Sequence, residues 1–183
     1  MKQRLITLAP FVAALAVSAL AWRLTERFRP HCIGSVEYSN REDAGTEAYL
    51  RHDYAEALKQ FEANLNDSKK CGDNLGAYYS YWNLEHVYVA QQRDDEAEET
   101  ARQEIAYAEK IHSPDDPFVL SSLSDLTLAL LKENRLNEAE AVNDRALKII
   151  KRGSVGEWKA AAELNASLSE IIRQRKAGGA GAR

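Results

Sequence analysis

Apolar and polar positions alternate along this chain with a helical period, and the same short phrase occurs three times. HDYAEALKQFEANL, residues 52–65, sets an aromatic, an alanine, a leucine and a second aromatic at intervals of three and four. That spacing paints one face of an α-helix. RDDEAEETARQEI from Arg93 and RLNEAEAVNDRALKI from Arg135 repeat it more weakly. Ala57, Ala97 and Ala139 each follow a glutamate (Glu56, Glu96, Glu138), and the two intervals between these alanines are nearly equal. A fixed period of this size predicts stacked helical hairpins.

Each phrase is preceded by a helix-like stretch and a short polar turn. Residues 78–92 place Tyr81, Leu84 and Tyr88 at i, i+3, i+7, and residues 118–134 place Leu123, Leu126 and Leu130 the same way. Residues 40–52 form a shorter, weaker counterpart. The alanine falls early in the second helix of each pair, where a methyl group lets two helices approach closely and a larger side chain would force them apart. A last helix over 157–175 carries Ala161, Leu164, Leu168 and Ile171 on one predicted face. It reads as a capping helix without a partner. Residues 30–39 read as a linker, and 177–183, rich in glycine, as a flexible tail.

The amino terminus has a different pattern. After Lys2 and Arg4 no charge appears until Arg23. As a helix, the uncharged run 5–22 would be roughly 27 Å long, just enough to cross a bilayer core. Trp22 and Arg23, Arg27 and Arg29 suit an interfacial anchor. A cleaved signal ending at Ala19-Leu20-Ala21 is the competing reading, and a buried core helix a third. The run exceeds the usual signal core of about 7–15 residues, which favours the anchor. Charge flanking the span is nearly balanced, so an extracytoplasmic body is only weakly preferred.

Composition narrows the function classes. The chain has 183 residues, 45% hydrophobic and 28% charged, with 4 Pro and 9 Gly, as expected of a globular helical protein. Residues 36–150 carry 24 acidic and 12 basic side chains, so nucleic acid is not an expected partner of the body. Their default reading is a solvated outer face. Cys32 and Cys71 are too few for a Cys-based zinc site; they could pair in an oxidising compartment, and free thiols are slightly preferred. His31, His52, His86 and His112 are scattered without a second ligand at helical spacing, and no glycine-rich phosphate loop occurs. No catalytic constellation, cofactor, metal or small-molecule substrate is expected; the chain reads as a binding protein, not an enzyme.

The repeating residues resemble the tetratricopeptide repeat family, in the longer variant found in kinesin light chains. The matching positions are Gly45, Asp53, Tyr54, Ala57, Phe61 and Leu65; then Tyr81, Leu84, Tyr88, Ala97 and Ile105; then Leu126, Leu130, Ala139, Ala146 and Leu147. Glu85 and Thr127 depart from the family's small residue, Ala101 and Asn143 from its second-helix aromatic, and the repeat-closing proline is missing from its usual place. The resemblance implies an all-α solenoid of about three hairpins over residues 40–176. It also implies a concave face of first helices presenting Tyr49, Tyr79, Trp82, Asn83, His86, Val89, Leu128 and Leu131 to a protein or peptide. The family's clamp for a terminal carboxylate is not matched: its slots hold Glu42, Trp82 and Ser124, and Thr46, His86 and Leu128. A peptide with apolar anchors is therefore the expected ligand. The function implied is a membrane-tethered adaptor or assembly factor; the alternative is a signal-cleaved secreted or periplasmic module that self-associates.

Overall fold

Seven helices and no strand make up the described part of the chain, residues 32–114, 116, 119–152 and 159–180 of a computed structural model. They are α1 (Val36–Leu50), α2 (Tyr54–Cys71), α3 (Asn74–Ala90), α4 (Asp94–Ile111), α5 (Leu120–Lys132), α6 (Leu136–Arg152) and α7 (Lys159–Ala180). All lie in one unit of the chain, His31–Arg183. Each helix packs chiefly on its neighbours in sequence, and α5 also on α7. That all-helical order is compatible with an α-solenoid.

Local chemistry explains the boundaries. The Ser35 hydroxyl accepts from the Tyr38 amide, and the Asp53 and Asp73 carboxylates accept from those of Glu56 and Gly76, satisfying helix amino-terminal donors. The first helix of each pair ends in the same way. His52, Gln92 and Asn134 adopt left-handed φ of 61°, 58° and 59°, and they recur at the same two intervals as the alanines. The next amide then reaches back to close each helix: Asp53 to Ala48, Arg93 to Tyr88 and Arg135 to Leu130, all at 2.9 Å. The repeat is thus a repeat of turn geometry as well as of apolar spacing.

Ala57, Ala97 and Ala139 are all buried. Around them lie two apolar clusters, one built on Phe61, Tyr81 and Leu84, the other on Leu123, Leu126, Leu130 and Ile149. Ala97→Leu is expected to lower stability by about 1–3 kcal/mol through overpacking; a urea melt reads the loss, and an unchanged midpoint would show that the helices do not meet there. Gly45 has a related constraint, since a Cβ there would stand 2.5 Å from the Phe61 ring.

Several expectations need correction. Helix α1 begins at Val36, inside the stretch read as linker, because Ser35 caps it. Helix α7 runs to Ala180, into the stretch read as tail. Its buried face is Asn165, Leu168 and Ile172, whereas Leu164 and Ile171 are exposed. Asn165 is held inside because its amide donates to the Ser124 hydroxyl and the Ala161 carbonyl. Cys32 and Cys71 are joined in a disulfide, their Cα atoms 6.1 Å apart, not left as free thiols. An antiparallel α1–α2 pair returns the chain to its starting point, which places the two thiols together. Among the described residues no helix is long and apolar enough to cross a membrane. The expected span, residues 5–22, lies outside the described residues.

Candidate functional site

The first helices α1, α3, α5 and α7 together line a groove of about 370 Å³. Each contributes an apolar residue, Tyr49, Val89, Leu128 and Ile171, joined by Ala129 and Leu131 of α5 and Ala97 of α4. Tyr49, Val89, Leu128 and Ile171 stand roughly one repeat apart, so regular hairpin spacing is what brings them together. Five of the expected positions, Tyr49, His86, Val89, Leu128 and Leu131, meet in this groove. Leu131 is buried at its floor, while Val89 and Leu128 remain exposed.

Tyr79, Trp82 and Asn83 do not line it. Tyr79 and Trp82 lie earlier on α3, and Trp82 is 39% exposed. Its ring meets that of His86 at a tilt of 52°, with centroids 4.4 Å apart. The Tyr79 ring meets Tyr78 edge-on at 5.3 Å. Asn83 is half-buried. Helix α3 is therefore apolar on two faces: Tyr78, Tyr81, Leu84 and Val87 go inward, and Leu75, Tyr79, Trp82 and Val89 go outward.

Carboxylates in and beneath the groove are the feature sequence reasoning missed, for it assigned the acids to solvated faces. Glu85 and Asp125 line the groove, and Glu85 is buried. Burial, then the Asp125 charge, push the Glu85 carboxyl up to about 7, against the pull of His86 and Lys132. Burial likewise raises Asp125, opposed by His86. Glu104 on α4 is fully buried. Its Oε1 accepts from the Ser122 hydroxyl at 2.6 Å, while Oε2 has no hydrogen-bond partner. Burial pushes this carboxyl up to about 8, with the Asp125 and Glu85 charges adding to the rise and the Ser122 and Tyr78 hydroxyls opposing it.

A signal for Glu85 exists in the sequence. Gly45 and Phe61 form a small–large pair; one repeat on, the equivalent positions are Glu85 and Ala101, with the volumes exchanged. Ala101, itself buried, leaves the room that Phe61 fills in the first pair.

The cations of the groove are already committed. Lys132 Nζ donates to Asp94 at 3.0 Å, and Arg175 Nη1 donates to the Leu131 carbonyl at 2.5 Å. His86 Nδ1 donates to the Trp82 carbonyl at 2.8 Å and lies 3.2 Å from Glu85 Oε2. Ser124, one of the clamp slots, is buried and donates to the Leu120 carbonyl. The groove lining contains no serine, threonine or cysteine. Among the described residues no group of three or more His, Cys, Asp or Glu could hold a metal ion. The arrangement offers an apolar strip, large aromatic anchors and negative charge beside them.

No protein-family model matches the chain, and no curated protein matches it in sequence.

Proposed function

We propose that this chain is a membrane-tethered helical-repeat protein of the tetratricopeptide type, whose body binds another protein and serves as an adaptor or assembly factor. The observation that carries the reading is the groove shared by four first helices, continued along α3 by exposed Tyr79 and Trp82. Large amphipathic rings beside a concave apolar strip are the usual anchors of protein interfaces. The role is binding: the lining supplies contact area and charge. Tethering through residues 5–22 would hold the groove near the bilayer and raise its effective concentration for a membrane partner. The disulfide supports a body on the oxidising, extracytoplasmic side, since such bonds are rare in a reducing cytosol.

Trp82→Ala tests the exposed α3 face that continues the groove. In pull-downs from solubilised native membranes, partner recovery is expected to fall by an order of magnitude, as for an interface hot spot of about 2 kcal/mol. The helical circular dichroism of the variant is expected to match the parent's, because Trp82 contributes little to the core. Full recovery with a native spectrum would reject the α3 face as the binding surface. The self-associating alternative draws on exposed Leu164 and Ile171 of the terminal helix α7. Light scattering on the purified protein separates the two, since a monomer excludes obligate self-association.

A further inference from the structure

Helix α3 carries its exposed apolar residues in a regular order. Leu75, Tyr79, Trp82, His86 and Val89 succeed one another at steps of four, three, four and three, and all lie on the one helix Asn74–Ala90. All but His86 are large hydrophobic side chains with more than a third of their surface exposed. That is the heptad spacing of a helix whose seam faces a second helix. A helix apolar on two faces is normally covered on both. The inward face of α3 is covered by the core clusters; among the described residues the outward one is left exposed.

The chemistry beside the stripe restricts what covers it. Glu85 and Asp125 come from neighbouring first helices, and the Asp125 charge makes Glu85 costlier to ionise. Among the described residues Asp125 has no hydrogen-bond partner, Lys132 is bonded to Asp94, and Arg175 to the Leu131 carbonyl. An incoming cation would therefore meet two carboxylates that face His86, 3.2 Å from Glu85 Oε2, beside lysine and arginine side chains already bonded elsewhere, whereas an incoming carboxylate would meet repulsion.

We propose that the occupant of this face is a basic amphipathic helix, lying along α3 with its apolar seam on Leu75, Tyr79, Trp82 and Val89 and a lysine or arginine directed between Glu85 and Asp125. This rests on the reading of the groove as a protein-binding surface and adds the partner's secondary structure and charge. A helix repeats its apolar side chains at the same three- and four-residue steps, so two such seams stay in register over the 17 residues of α3, about 25 Å. An extended segment alternates every second residue and would lose register along the seam. Strand addition has no edge to use, because the described residues contain no strand.

Full-length protein in nanodiscs of neutral lipid tests this, with Trp22→Phe and Trp158→Phe leaving Trp82 as the sole tryptophan of three. The probes are synthetic peptides of the same length as α3, with leucines at heptad positions and a nitroxide that quenches Trp82 on contact. One has lysines flanking the seam, a second has glutamates there, and a third is the lysine peptide with two central prolines. The lysine peptide is expected to quench Trp82 and bind at least ~10-fold tighter than the glutamate peptide at ~50 mM salt, with the preference shrinking to under ~3-fold at ~500 mM. The Glu85→Gln, Asp125→Asn double variant is expected to lose the preference, and the proline peptide to lose binding. Equal affinity for the lysine and glutamate peptides would overturn the charge assignment, and undiminished binding of the proline peptide the helical one. The groove would survive either result. No quenching by any peptide would overturn the proposal, and the Trp82→Ala pull-down then decides separately whether the α3 face falls as a protein-binding surface too.

Discussion

Glu104→Gln is expected to stabilise the protein at pH 9 by several kcal/mol while leaving it nearly unchanged at pH 5. The Glu104 carboxyl titrates near 8 in the folded state, against an ordinary value of 4.5. The folded state therefore holds the proton more tightly than the unfolded state. Stability linked to this group is complete below pH 4.5 and drains away as pH rises from there through 8. Each unit of displacement is worth about 1.4 kcal/mol, so the parent is expected to lose on the order of 3–5 kcal/mol between pH 5 and 9. Glu85, pushed up to about 7, contributes in the same direction. Glutamine keeps the acceptor for Ser122 and never ionises. Urea melts at pH 5, 7 and 9 give the comparison, with exposed Glu99→Gln as control. A parent that is more stable at pH 9 than at pH 5, or a variant with the parent's pH slope, would show that Glu104 is not buried as described.

Cys32→Ser is expected to destabilise the body by about 3–4 kcal/mol, and reduction of the parent to do the same. The bond joins residues 39 apart in sequence and encloses the whole α1–α2 pair. Closing a loop of that length removes roughly 4 kcal/mol of chain entropy from the unfolded state in the entropic account. The loss would be felt first at hairpin one, where the amide of Ile33 also donates to the Asp73 carboxylate at 2.9 Å. Thermal melts with and without reductant read the effect. For a body of this size it corresponds to a fall in Tm of roughly 6–16 °C. Identical melts would mean the two cysteines are not joined.

How much of this was legible in the sequence depended on whether a residue obeyed its class. The hairpins were legible because Ala57, Ala97 and Ala139 recur at a fixed period and are buried as a methyl at a close approach should be. In helix α7 apolar spacing gives the wrong phase: of the expected face Leu168 is buried, but Leu164 and Ile171 are exposed and polar Asn165 is buried. Asn165 stays inside because its two hydrogen-bond partners there compensate its burial. The start of α1 was missed because Gly34 and Pro30 read as linker, although Ser35 followed by Glu37 has the chemistry of a helix start. The disulfide could have been inferred from one hairpin returning on itself.

Of the groove, the positions that are both apolar and one repeat apart were legible. Glu85 and Glu104 were not, because a glutamate on a helix reads as solvated. The exchange of volume between Gly45–Phe61 and Glu85–Ala101 was the available sign for Glu85. For Glu104 the sign was weaker: it follows Ala97 by two helical turns, as Asn64 follows Ala57, and Asn64 is likewise buried.

Site-specific photo-cross-linking in native membranes tests the central claim most directly. A photoreactive phenylalanine analogue at position 128, exposed in the groove, is expected to give one dominant protein adduct. The same analogue at exposed position 99 of α4, which does not line the groove, is expected to give none. Equal adducts from both positions, or an adduct from position 99 alone, would contradict the assignment of the groove face as the binding surface.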